Sequence, residues 1–167
     1  MREVTRSCRG ALLVVLFAAL GPLAACGAEP GVQATAPGEK RGSAVDVSAL
    51  TPNTVCDAVP VDTVASITGR KVSDGKGEVG ACEWKAPQAV RVRLFPPGEW
   101  SPHTDSGGYR ELASIGAKAY VAKGTFGNGY RAEALLDDRA IAAIIPGEWA
   151  TEDMATALLR AAVERLG

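Results

Sequence analysis

The segment Leu23-Ala24-Ala25-Cys26 constrains this chain most, because it divides the polypeptide into a part that is discarded and a part that must fold. Small residues directly before a cysteine, after an apolar run, match the lipobox read by lipoprotein signal peptidases. The thiol is the nucleophile that receives a diacylglyceryl group. Arg2, Arg6 and Arg9 form a basic n-region, and residues 11–20 (ALLVVLFAAL) are uninterruptedly apolar up to Gly21-Pro22. A run of about ten residues is too short for a bilayer span, which takes roughly 20. Residues 1–25 therefore read as a removed signal peptide, with Cys26 as the acylated mature N-terminus. A plain secretory cut after Ala25 is the alternative, but it would put Leu23 where a small residue is needed. No Arg-Arg pair points to the twin-arginine route. Two acyl chains, of the palmitate kind, are what stable anchoring requires, so the expected address is the extracytoplasmic face of the cell membrane.

Residues 26–44 comprise Cys26 and a stretch rich in Gly, Ala and Pro without hydrophobic period, which reads as a disordered tether. Its r.m.s. reach is roughly 25 Å, enough to lift a domain clear of the headgroups. Residues 45–167 are one ordinary domain in size. Losing residues 1–25 removes three of the 18 basic and one of the 19 acidic side chains, leaving three acidic in excess. That balance argues against nucleic acid and against a polybasic membrane patch.

Of the four cysteines, Cys8 leaves with the signal and Cys26 takes the lipid. Cys56 and Cys82 remain, and in an oxidising compartment one pairing is open to them. Two separate buried thiols are the alternative. A metal site would be short of ligands, since His103 is the only histidine. No cofactor is called for.

Thr51-Pro52-Asn53 forms a turn before Cys56, and Pro60 stands at the first position of a helix with Val61, Val64, Ala65 and Ile67 on one face and Gly69 as its C-terminal cap. Residues 73–80 (SDGKGEVG) read as a loop. Cys82 and Trp84, then Val90, Val92 and Leu94, alternate with charged residues across Ala86-Pro87-Gln88, which predicts a hairpin with one wet face. Residues 96–108 read as a long loop and residues 109–115 as a short helix with Tyr109 and Leu112 inward. A strand around Tyr120, a turn over residues 124–129 and a second hairpin through Tyr130, Ala132, Ala134, Ile141, Ala143 and Ile145 follow, with Asp137-Asp138 at the tip. Thr151 caps a terminal helix, Glu152 and Asp153 suit its dipole, and Met154, Leu158, Ala161, Val163 and Leu166 supply an apolar face. The expected fold class is α+β, a mostly antiparallel sheet packed against N-terminal, middle and C-terminal helices with one disulfide.

Pro97-Gly98-Glu99-Trp100 and Pro146-Gly147-Glu148-Trp149 are identical tetrapeptides, each after a hairpin. A duplicated hairpin-loop-helix unit would place Trp100 and Trp149 at one end of the sheet as a candidate ligand groove; the plainer reading is that each indole covers the core edge beneath its own helix. Ser101, His103 and Asp105 are triad residue types within one loop, but triads are assembled from separate elements. No catalytic residues are assigned, and an envelope hydrolase using that loop stays as the alternative. Gly124, Gly127 and Gly129 precede a strand, so they offer no helix terminus to a phosphate. Asp137-Asp138 supplies too few oxygens for calcium. Lys85, Arg91 and Arg93 form a basic strip on the outer sheet face, the usual mark of a solvated surface.

The lipobox, Cys56, Thr68-Gly69, Cys82-Glu83-Trp84 and the segment Ile115-Gly116-Ala117-Lys118-Ala119-Tyr120 together resemble the actinobacterial lipoprotein family called domain of unknown function 3558, with a departure at Val59-Pro60. The resemblance implies an α+β sandwich, a Cys56 to Cys82 bridge with Trp84 beside it, and a place in the cell envelope. It carries no catalytic residues. The expected function is a noncatalytic binding or accessory module, not an enzyme, anchored through its lipid and contacting an envelope protein or a small apolar ligand. A structural cell-wall-associated lipoprotein is the further alternative.

Overall fold

The computed structural model describes residue 46, residues 49–124 and residues 128–167, all within one compact unit. The expected signal peptide, the expected lipidation site at Cys26 and the tether lie outside the described residues, as do residues 125–127 of the turn over residues 124–129. Among the described residues no helix is long and apolar enough to cross a membrane.

Two short helices open the fold, α1 (Thr54–Ala58) and α2 (Val61–Thr68). They are separate because Pro60 pushes Val59 out of helical geometry, to φ −116° and ψ 86°, so α1 must stop at Ala58. Pro60 stands at the N-cap of α2, one residue earlier than expected, and accepts from the Thr63 and Val64 amides. Gly69 closes α2 in the left-handed conformation, φ 61°. Thr68 is buried at the last turn, where its hydroxyl donates to the Val64 carbonyl at 2.8 Å.

Seven antiparallel strands follow in spatial order β1-β2-β3-β7-β6-β5-β4. They are β1 (Lys76–Glu78), β2 (Ala81–Lys85), β3 (Ala89–Phe95), β4 (Arg110–Glu111), β5 (Lys118–Lys123), β6 (Gly129–Leu135) and β7 (Ala140–Pro146), and α3 (Glu152–Leu166) ends the chain. The expected α+β architecture with hairpins β2–β3 and β6–β7 is thus present.

Cross-strand register sorts the side chains into two faces. One row runs Cys82, Val92, Ala143, Ala132, Val121 and faces the helices. Its alanines, with Ala155 and Ala162 opposite on α3, let that helix approach the sheet closely, and all four are fully buried. The Thr151 hydroxyl caps α3 by accepting from the Met154 amide at 3.2 Å. The buried face of α3 is Ala155, Leu158, Leu159, Ala162 and Leu166, so the expected stripe through Ala161 and Val163 is rotated toward Ala162.

Two segments differ from expectation for physical reasons. Within residues 73–80, Lys76–Glu78 is an edge strand rather than loop. Its glycine serves close approach: a Cβ on Gly77 would lie 2.6 Å from Asn53 Oδ1 and collide with the Pro52 carbonyl. Residues 109–115 hold the edge strand β4, not a helix. Tyr109 and Leu112 would share a helical face, but in extended chain they part. Tyr109 stacks on Tyr120, and Leu112 enters the core beneath the helices.

Cys56 on α1 is bonded to Cys82 on β2, Cα to Cα 5.1 Å, which excludes separate thiols. A Cβ on Gly75 would lie 2.5 Å from Cys82 Sγ and 2.7 Å from Trp84 Nε1, so Trp84 is packed beside the bridge.

Candidate functional site

The helix-free face of the sheet carries the polar chemistry. One row there runs Ala81, Arg93, Ala142, Glu133, Tyr120, Glu111, and the next Glu83, Arg91, Ile144, Arg131, Ala122. Tyr120 and Glu133 stand directly opposite on β5 and β6, and the Tyr120 hydroxyl donates to Glu133 Oε2 at 2.6 Å. Arg131, two residues along the same strand and so on the same face, reaches Glu133 Oε1 through Nε and Nη2. Glu133 is 1% exposed, so its carboxylate is sealed from water and both oxygens are engaged. A buried charge persists only when paired in this way. Burial, then the hydrogen bond and charge of Glu133, push the Tyr120 phenol far above its ordinary range; Arg131 and the His103 backbone oppose this. Tyr120 is consequently a fixed proton donor.

The loop between β3 and β4 covers this pair. Trp100 lies 6.1 Å from the Tyr120 ring centre, His103 meets it edge-on at 6.2 Å, and Tyr109 stacks on it at 5.5 Å. Trp100, like Leu135 and Ile144, also packs against a small buried apolar cluster of Phe95, Ala140 and Ala142 on the same face. Beside these rings opens a cleft of about 420 Å³, walled by Trp100, Tyr109, Pro102 and Leu112, with Thr104, Glu111 and Lys118 also lining it. That volume lies within the range of small-molecule sites.

The expected groove between Trp100 and Trp149 is not formed. Trp149 belongs to the helix-side core, with the Arg70 guanidinium 5.6 Å from its ring, and Trp100 to the cluster on the opposite face. The repeated tetrapeptides do not share a conformation. Gly147 has φ 95°, whereas Gly98 has no positive φ and sits in a 3-10 turn.

Ser101, His103 and Asp105 are all exposed, and no hydrogen bond or ion pair joins their side chains. His103 instead lays its ring against Tyr120. Asp137-Asp138 forms the expected hairpin tip, and Arg139 donates to both oxygens of Asp138 and to the Leu166 carbonyl. This neighbouring guanidinium holds the Asp138 carboxyl below its usual range. Lys85, Arg91 and Arg93 do share the outer face, but Arg91 pairs with Glu78 at 3.0 Å and Arg93 lies 3.9 Å from Glu99, so the strip is locally balanced. Among the described residues no group of three or more His, Cys, Asp or Glu side chains converges as a metal site.

The sequence reading placed Tyr109 on a helix face and gave Glu111, Lys118, Arg131 and Glu133 no role in a site. Alternation along residues 130–134 does place Arg131 and Glu133 on one face. Nothing local shows that a distant loop covers that face. The chain matches no family model, no curated protein and no solved structure.

Proposed function

We infer that this protein is a noncatalytic binding or accessory module of the cell envelope, tethered through a lipid on Cys26 to the extracytoplasmic face of the cell membrane. The observation that carries the reading is the ring cluster around Tyr120, fixed by a closed Tyr120–Glu133–Arg131 network and bordering an aromatic-walled cleft. Such a network holds shape and presents no carboxylate to solvent, which suits recognition better than proton transfer. The disulfide is consistent with an oxidising compartment. A rival hydrolase would need Ser101, His103 and Asp105 to assemble, and in the exposed loop no hydrogen bond joins their side chains.

A photo-crosslinking amino acid at Thr104, in intact cells, should capture a component of the envelope, and Trp100→Ala should reduce that capture. Absence of any adduct across growth conditions would refute the binding role. Turnover lost in His103→Ala would favour the hydrolase. Intact-mass analysis of detergent-extracted protein should show a diacylated Cys26; a bare thiol there would remove the anchor.

A further inference from the structure

We propose that the cleft beside Trp100 is a carbohydrate subsite that takes an uncharged, polyhydroxylated sugar ring of an envelope glycan. This deepens the binding role and rests on it. Trp100 and Tyr109 form two of its walls, and both are half-buried. The C–H face of a pyranose matches an aromatic plane, because the ring's hydroxyls point outward and leave its axial hydrogens to pack.

Charge at the rim narrows the class. Glu111 and Lys118 line the cleft together, and the register places Glu111 opposite Tyr120 with Lys118 two residues before it on the same face. Diagonal neighbours of this kind stand roughly 7–8 Å apart. No ion pair or hydrogen bond joins Glu111, Lys118 or Thr104 to another described side chain. The cleft thus offers an open acceptor, an open donor and a hydroxyl around an aromatic wall. An anion would meet Glu111 and a cation would meet Lys118. An acyl chain would desolvate both charges without pairing either. A neutral polyol satisfies both at once, since every hydroxyl donates and accepts.

Binding by the full chain should be measured by calorimetry and saturation-transfer NMR against neutral glucan, galactan and N-acetylglucosamine oligomers, with free amino acids and decanoate as contrasting arms. Saturable millimolar binding of at least one neutral oligosaccharide is expected. Trp100→Ala should abolish it. Because that variant also loses packing, Glu111→Gln and Lys118→Met are the folded controls. Each should weaken binding roughly ten-fold with an unchanged melting temperature. No oligosaccharide binding, binding indifferent to all three substitutions, or preference for amino acids or decanoate would overturn the proposal. Capture of a protein at Thr104 without glycan binding would sink the sugar assignment while leaving the module role standing; loss of both readouts would remove both.

Discussion

Breaking the Cys56–Cys82 bridge tests how this small domain reaches a stable fold. The bond ties α1 to β2 across a sequence separation of 26. In the chain-entropy description, closing a loop of that length removes about 3.5 kcal/mol of conformational freedom from the unfolded chain. Typical domains are stable by about 5–15 kcal/mol, so the link accounts for roughly a fifth of the total or more. Near this size each kcal/mol moves the melting temperature by about 3–5 °C, so Cys56→Ala/Cys82→Ala should melt roughly 10–20 °C lower. The loss also includes packing, because Cys82 is fully buried against Trp84. The assay is far-UV circular dichroism on heating, with parallel urea titrations of the oxidised protein, the reduced protein and the double variant. The urea slope should rise once the unfolded chain opens further. A melting temperature within about 3 °C of the parent, with the same slope, would refute the entropic account.

Three further outcomes follow from the packing. In an alkaline absorbance titration Tyr120 should ionise only as the protein unfolds. Folding raises the Tyr120 pKa, so the stability it contributes is complete below about pH 10 and is lost as pH climbs above that value; Tyr120→Phe should remove this slope in urea melts. Gly75→Ala drives a methyl to 2.5 Å from Cys82 Sγ and should cost about 1–3 kcal/mol, whereas Gly98→Ala meets nothing within 4 Å and should stay within about 0.5 kcal/mol. Glu133→Gln should cost about 1–3 kcal/mol by urea titration and loosen the ring cluster, seen as greater acrylamide quenching of Trp100; Arg131 is 30% exposed, which keeps the loss below that of a fully buried pair.

The strands that alternate cleanly were legible in advance. Val90, Val92 and Leu94 against Arg91 and Arg93, or Ile141, Ala143 and Ile145, satisfy a period of two over enough residues to exclude a helix. Residues 109–112 are too short for periodicity to decide. Tyr109 and Leu112 fit a helical face as well as opposite strand faces, and pairing with β5 settles the matter. Gly77 likewise reads as loop in isolation, although what it answers to is the Pro52 carbonyl, far away in the chain.

From the chain of residues alone came the single pairing open to Cys56 and Cys82, the helix start at Pro60, the cap at Gly69 and the amphipathic hairpins, because each depends on neighbours within a few positions or on counting. Only the tertiary structure decided which face of the sheet is covered by the loop through Trp100, that Glu133 is buried opposite Tyr120, and that Trp100 and Trp149 lie on opposite faces. Those outcomes depend on strand order and register between segments distant in sequence. A period of two says which residues share a face, but it carries no information about what comes to rest upon it.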